Sequence, residues 1–259
     1  MMIKSQTTLF ASALLAGTAA MAQTKAPEPD YTLAYNVGVV TDYRFRGISQ
    51  TSFKPAIQGG VDFSHKSGFY VGAFGSNVSW VKDFNGATKG NIEIDLYGGY
   101  KGSITKDVGF DVGVITYQYP SNNSGAKGTP GAGLFTNAST NEWYAAVTYS
   151  VATLKYSRSF GDFLGNIKSS GSAYLDLSAT FDLGNGFGVT PHIGRQTIPN
   201  QGGQGDYTDY SLTLAKDLGN GLTVTGAVIG TDAKKSFYTD TKGRFLGKSQ
   251  LAVGLKYSF

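Results

Sequence analysis

The sequence predicts an all-β fold, a transmembrane antiparallel up-and-down β-barrel of about 12 strands. Three observations point to it. Apolar and polar residues alternate with period two in segment after segment, which gives each strand one greasy and one polar face. The connections are alternately short and long, the layout of periplasmic turns and extracellular loops. The composition is the third: 36 Gly, 16 Tyr and 16 Phe in 259 residues, with charged residues at only 15%. A typical globular chain carries about a quarter charged residues. No run of eighteen apolar residues offers a helical span. A secreted β-sandwich would share much of this composition, but its Greek-key connections have no reason to keep the loop parity. With no Cys there is neither a disulfide framework nor a thiolate metal site.

Residues 1–22 read as a signal peptide. Lys4 supplies the positive start, Leu9 to Ala20 the short apolar run, and Ala20-Met21-Ala22 the small-x-small cleavage rule, with the cut after Ala22. The apolar run is too short for a comfortable membrane anchor. Residues 23–30, QTKAPEPD, are polar with two Pro and form a flexible leader. The barrel domain is residues 31–259. Twelve alternating segments fall at 31–46, 55–64, 69–79, 91–101, 108–119, 141–150, 153–160, 173–182, 186–196, 207–217, 221–231 and 248–259, with 69–79 ambiguous in phase.

Short connections (HKSG, GSITKD, SVAT, LGNG, LGN) follow the even-numbered segments. Longer ones, 47–54, 80–90, 120–140, 161–172, 197–206 and 232–247, follow the odd-numbered segments. That parity puts both ends of the barrel on the periplasmic side. FDLGNGFGV (Phe181 to Val189) is echoed 35 residues later by KDLGNGLTV (Lys216 to Val224), and Asn-Gly in each predicts a tight turn. The loop at 120–140 either folds inward over the mouth or stands outside. The last segment is LAVGLKYSF, with Leu251, Val253, Leu255, Tyr257 and Phe259 in one phase. A barrel has no free edge, so this strand has to close against the first. Its aromatics suit the periplasmic girdle. The terminal Phe259 resembles the signal by which the barrel-assembly machinery reads outer-membrane proteins.

Catalysis is poorly supplied. His65 lies in a predicted turn and His192 in the polar phase of its strand, and neither is poised with a Ser at the lipid face as a lipase requires. No HExxH, GxSxG or Walker loop is present. Glycine strings such as Gly131-Ala132-Gly133 sit in loops, not between a strand and a helix. No cofactor, metal or enzyme activity is expected. Basic residues are scattered, so nucleic acid is not indicated either. The partners expected are outer-membrane lipid and a small hydrophilic solute.

The lumen carries what chemistry there is. A Lys or Arg facing lipid at the midplane costs roughly 2–4 kcal/mol. Charges in the polar phase are therefore placed inward as pore-lining residues: Arg44 and Arg46 on the first segment, Asp62 on the second, Glu93 and Asp95 on the fourth, Asp176 on the eighth and Lys256 on the twelfth. Arg44, Arg46, Glu93, Asp95 and Asp176 should share one height near the extracellular end, either as a charge filter or as pairs that brace the barrel. Arg158 and Arg195 fall outward near the rim, where snorkelling is easy. About eight strands leave a filled interior and 16–18 an open channel, so twelve lies between.

The stretch Thr41 to Val78 resembles the N-terminal signature of the TorF family, a conserved proteobacterial outer-membrane family to which a porin role is ascribed. Asp-Tyr-x-Phe-Arg-Gly-x-Ser-Gln (Asp42 to Gln50), Pro-Ala-x-Gln-Gly (Pro55 to Gly59), Gly-Phe-Tyr-x-Gly, Ser-Asn-Val and NIEIDLYGGY (Asn91 to Tyr100) carry the likeness. It implies an outer-membrane barrel and a channel role, and no site residues come with it. The function expected is passive diffusion of small hydrophilic solutes through an outer-membrane porin. A plugged structural, adhesion or receptor barrel acting through its loops is the first alternative, and a lipase the more distant one. Arg44 and Arg46, with Lys234, Lys235, Lys242 and Arg244 set against Asp232 and Asp240, suggest a mild anion preference.

Overall fold

The computed structural model describes residues 29–259. The expected signal peptide, 1–22, and the leader up to residue 28 lie outside the described residues. The chain forms twelve wall strands: β1 Tyr31–Val40, β2 Ala56–His65, β3 Phe69–Asn77, β4 Ile92–Ser103, β5 Val108–Gln118, β6 Thr140–Tyr149, β7 Ala152–Ser159, β8 Ala173–Ala179 continued by Phe181–Gly184, β9 Phe187–Thr197, β10 Tyr207–Gly219, β11 Leu222–Thr231 and β12 Gln250–Ser258. Each pairs antiparallel with its neighbours in sequence, and β1 also pairs with β12, so the sheet closes. β8 is interrupted at Thr180, and both of its pieces pair with β9.

All twelve expected segments are present, but the first is too long. β1 stops at Val40, and Arg44–Phe45 with Ile48–Ser49 form a separate small hairpin. Arg44 and Arg46 are therefore not on a wall strand. The physical cause is Asp42. Its carboxylate accepts from Ser49 Oγ at 2.6 Å, Thr51 Oγ1 at 3.3 Å and Arg44 Nε at 2.5 Å, and these bonds turn the chain away from the sheet. The phase of residues 69–79 also resolves: Tyr70, Gly72, Phe74 and Ser76 lie in the inward phase of β3. The signal was ambiguous because an aromatic pair sits on the lumen side.

The outward phase is a continuous apolar band. Leu33, Val37 and Val39 on β1, Leu96 on β4, Val114 on β5, Leu177 on β8 and Val253 on β12 are all exposed. In water such a surface would be a liability; against lipid it is the solvent-matched face. Closure reaches the last residue. Phe259 N donates to Tyr35 O and Tyr35 N to Phe259 O, both at 3.0 Å, and the two rings stack at 5.7 Å. The two echoing turns fold alike. Asn185-Gly186 and Asn220-Gly221 all have positive φ, which Asn and Gly tolerate. In each copy the preceding Asp accepts from a glycine N–H two residues on, at 2.8 Å (Asp182 from Gly184, Asp217 from Gly219).

Inside, tyrosine rings lie flat against the wall over glycines of the next strand. Tyr70 covers Gly99, Tyr97 covers Gly72, Tyr144 covers Gly113 and Tyr174 covers Gly194. A Cβ on Gly194 would stand 2.0 Å from Tyr174 Oη. The rings can fold aside because their neighbours have no side chain, and their hydroxyls then reach wall carboxylates: Tyr97 to Asp62 at 2.5 Å, Tyr70 to Asp111 at 2.6 Å and Tyr174 to Asp209 at 2.8 Å. This accounts for part of the glycine content.

Replacing Gly194 by Val should therefore overpack the wall and cost about 1–3 kcal/mol. Gly226→Ala, where an added Cβ meets nothing within 4 Å, should be close to neutral. Urea unfolding in lipid vesicles, followed by tryptophan fluorescence, measures both. Equal stabilities would remove the packing account.

Candidate functional site

The site is built by loop 1, residues 41–55, which joins β1 to β2 and turns into the barrel. Its hairpin tip is Arg46-Gly47. Both have positive φ, 47° and 78°. At Gly47 the requirement is also steric: an added Cβ would stand 2.6 Å from Asp209 Cβ on β10 and 2.6 Å from Thr231 Cγ2 on β11. Arg46 reaches further. Its Nη1 donates to Glu142 Oε1 on β6 at 3.0 Å and to Gln196 Oε1 on β9 at 2.9 Å, and its Nη2 donates to Glu142 Oε2 at 2.7 Å. The guanidinium lies over the rings of Tyr174, Phe45 and Phe163, with the Tyr174 centroid 4.4 Å away. In a ring of twelve strands, β6 to β9 stand opposite β1 and β2. Arg46 thus ties one side of the barrel to the other across the lumen. Burial works against its charge, yet the Glu142 carboxylate outweighs that and holds the guanidinium protonated more firmly than usual.

Arg44 serves the hairpin itself. Besides Asp42 it donates to Gly47 O at 2.7 Å and Lys248 O at 3.0 Å. Tyr43 donates to Glu93 Oε1 at 2.5 Å, and Tyr119 donates to Oε2 of the same carboxylate at 2.7 Å. Burial, then the charges of Glu93 and Asp95, hold the Tyr43 hydroxyl well above its usual range.

The rest of loop 1 locks to other loops. Gln50 O accepts from Ser79 N at 2.8 Å, at the head of the short helix α1, Trp80–Asp83. Ser49 N donates to Leu246 O at 3.0 Å. Asp83 is the hub, accepting from Ser52 Oγ at 3.1 Å, Lys242 Nζ at 2.6 Å and Arg244 Nη2 at 2.8 Å. Burial would raise its pKa, but these hydrogen bonds outweigh burial and hold it below the usual carboxylate value. Two apolar clusters complete the lid. One gathers Val78, Trp80, Val81, Tyr117 and Tyr119; the other gathers Ile48, Tyr207, Tyr238 and Leu246, with Tyr238 from the short helix α2, Lys235–Tyr238. The loop at 120–140 joins this lid: Phe135 packs on Phe84 at 5.7 Å, and Ala138 is buried in the first cluster.

The seven residues expected in the pore divide. Arg46 and Glu93 are brought into the plug, Arg46 with Glu142 and Glu93 with two tyrosines. Arg44 pairs within its own hairpin, so the two arginines do not face the acids as one shared filter. Asp95 is buried beside Glu93. Asp62 is on the wall under Tyr97. Asp176 Oδ2 accepts from His192 Nε2 at 2.7 Å, and His192 is also 3.1 Å from Tyr174 Oη. Lys256 lies in the inward phase of β12. Glu142, Asp111, Asp209 and Gln196 also face the lumen. Their inward phase was open to sequence reasoning, since each sits in an alternating segment. That Glu142 receives Arg46 was not, because the partners are 96 residues apart. His192 lies among carboxylates and a tyrosine inside the barrel, so it does not form the lipid-face Ser–His pair of a lipase.

The chain belongs to the Gcw_chp family, bacterial proteins of unknown function, whose family model matches residues 24–259. No curated protein matches it in sequence. Among solved structures it is similar to the KdgM porin in complex with disordered oligogalacturonate, at TM-score 0.55 and 9% identity over 88% of this chain and 98% of that one. The NanC porin is similar at 0.52 and 11%, over 88% and 99% of the two chains. An outer-membrane channel from Pseudomonas putida F1 is similar at 0.51 and 11%, over 89% and 96%. At such identities the likeness is one of fold. Of the strings that carry the TorF resemblance, Asp42 to Gln50 falls in the loop 1 hairpin.

A carboxylate whose value is depressed in the folded loops stabilises them above its ordinary value of 3.8, and that contribution is lost as pH falls below it. Loop 6, residues 232–249, should therefore open to acid-active protease as pH drops from about 5 to about 3. Asp83→Asn should weaken the loop cluster by about 1–2 kcal/mol at neutral pH and flatten that pH dependence. An unchanged cleavage profile in the variant would take Asp83 out of the hub.

Proposed function

We propose that this chain is a porin-like channel of the outer membrane, passing small hydrophilic solutes by diffusion, with its extracellular half constricted by loop 1. One observation carries this: a wall of carboxylates, lysines and hydroxyls enclosed by a lipid-facing barrel and crossed by a single charged tether. A polar interior inside an apolar shell is what a water-filled path requires. The porin role ascribed to the TorF family, which loop 1 resembles, supports the same reading, as does the fold shared with KdgM and NanC. The exposed aromatic edge at Tyr257 and Phe259 fits recognition by the barrel-assembly machinery. No chemistry is assigned to the chain.

We read the lumen as favouring cations, where Arg44 and Arg46 had suggested anions. Both arginines are already paired, Arg44 with Asp42 and Arg46 with Glu142. On the wall strands the inward phase then holds Asp62, Glu93, Asp95, Asp111, Asp176 and Asp209 against Lys101, Lys155 and Lys256. In the loops Arg244 and Lys242 are bound to Asp83 and Asp240. The lumen is acidic on balance, and acidic walls favour cations. A second reading, a plugged barrel acting through its loops, is favoured by the fit of Gly47 against β10 and β11 and by the breadth of the Arg46 contacts.

Planar-bilayer recordings of refolded protein in a salt gradient decide between them. We expect small discrete steps with a cation-selective reversal potential, and at least a doubling of step size in Arg46→Ala. Silent bilayers from folded, heat-modifiable barrels of both proteins would establish the plugged reading. An anion-selective potential would overturn the charge assignment alone.

A further inference from the structure

Glu93 and Asp95 stand two residues apart on β4, both in the inward phase, at 1% and 6% exposure. Neither forms an ion pair with any described residue. Glu93 is held by two phenolic hydroxyls only, those of Tyr43 and Tyr119. Asp95 Oδ1 is buried with no hydrogen-bond partner at all. The residues beside them across the sheet are Ser76 and Phe74 on β3, and Tyr117 opposite Asp95 on β5. Arg46 is committed to Glu142. Close by, Trp80 stacks edge-on against Tyr119 at 5.1 Å, and its Nε1 is also buried and unpartnered. Two buried carboxylates on one wall, without a cation, carry a desolvation cost of several kcal/mol each. A proton held by one carboxyl together with one singly charged cation would leave the pair neutral.

We propose that the Glu93–Asp95 pair is a binding site for a monovalent metal cation, on the wall just below the loop 1 hairpin. The available ligands are all oxygen: two carboxylates and the phenolic oxygens of Tyr43 and Tyr119. Hard oxygen ligands suit alkali and alkaline-earth ions. No third acid, His or Cys joins the pair among the described residues. That is too sparse for calcium, which takes six to eight oxygens, and adequate for a singly charged ion that keeps part of its water. The site goes beyond the channel reading and does not need an open pore. A cation seated there would also brace Tyr43, and so the entry of loop 1 into the barrel.

The chain has two tryptophans, and Trp143 is in the outward phase of β6. A Trp143→Phe variant leaves Trp80 as the single reporter, one tyrosine away from Glu93. Thallous ion, similar in size to potassium and a heavy-atom quencher, is the probe, added to folded protein in detergent. The expected result is saturable quenching of Trp80 that potassium or sodium reverses. With Glu93→Gln and Asp95→Asn added, quenching should become linear in thallium. If the double variant does not refold, Asp95→Asn alone, nearly identical in shape, should weaken saturation at least tenfold. Linear quenching in the parent, equal to that of the variants, would overturn the site and leave protons as the neutralising charge. Reversal by calcium at far lower concentration than by potassium would overturn the assignment to a monovalent ion. None of these outcomes depends on conductance, so the site can fail while the channel stands, and the reverse.

Discussion

The structure depends on one constraint: in lipid every backbone N–H and C=O on the wall must be paired within the chain. The pairing of β12 with β1 meets it. Tyr35 and Phe259 exchange backbone hydrogen bonds and stack their rings, so the ladder is complete to the last residue. Once the sheet is closed, the two faces of every strand meet different solvents. Period-two alternation then ceases to be a tendency and becomes a requirement, because a one-residue slip on any strand would put its charges into lipid. The Asn-Gly turns at 185–186 and 220–221, with their aspartates at 182 and 217, fix that register at the short-turn end.

Closure also creates the interior problem. A twelve-stranded ring is too wide for side chains of the wall to fill and too narrow for long loops to enter freely. The chain resolves this differently at its two ends. Along the wall, Tyr70, Tyr97, Tyr144 and Tyr174 lie back over glycines, which clears the lumen and hands their hydroxyls to neighbouring polar groups. At the long-loop end, loop 1 does the opposite and projects Arg46 into the centre. The same residue types that lower wall bulk in one place, Tyr and Gly, fix the plug in another through Tyr43 and Gly47.

The barrel was legible in the sequence because closure forces a regular pattern on it. All twelve strands and every long loop follow from alternation and from connection length. The plug was not legible, although its residues were singled out. Asp42 to Arg46 continues the alternation of β1 by accident, Tyr43 and Phe45 falling in the apolar phase, so the strand looked longer than Tyr31–Val40. What ends β1 is the set of bonds that Asp42 makes to Arg44, Ser49 and Thr51, and these belong to a turn rather than to a period. The partners of Arg46 lie far away in sequence, at Glu142 and Gln196, and no spacing rule links them. Of the charges expected inside, Asp62, Glu93, Asp95, Asp176 and Lys256 lie on wall strands, and Arg44 and Arg46 lie off them in the hairpin. Their pairing depends on which loop folds in, which a pattern along the strand does not carry.

The character of the plug follows from where its apolar and polar contacts lie. Ile48 packs with Tyr207, Tyr238 and Leu246, and Trp80 with Val81, Tyr117 and Tyr119, so the apolar contacts gather among the loops and the strand ends at the long-loop mouth. The hairpin tip meets the wall through polar and charged contacts, Arg46 to Glu142 and Gln196 and Tyr43 to Glu93, beside the ring contacts of Phe45 with Tyr117 and Tyr43 with Phe74. An apolar plug leaving the wall would expose greasy surface to water on both sides. A charged tip leaving the wall exposes groups that water solvates well, and the cost of separating Arg46 from Glu142 falls from the several kcal/mol of a dry pair towards the ~1 kcal/mol or less of a solvent-exposed one. The lid is thus built to hold together as a unit while its attachment to the lumen wall depends on hydration and on ions. The loop cluster is cohesive, and Arg46 joins it to the far side of the barrel through Glu142 and Gln196.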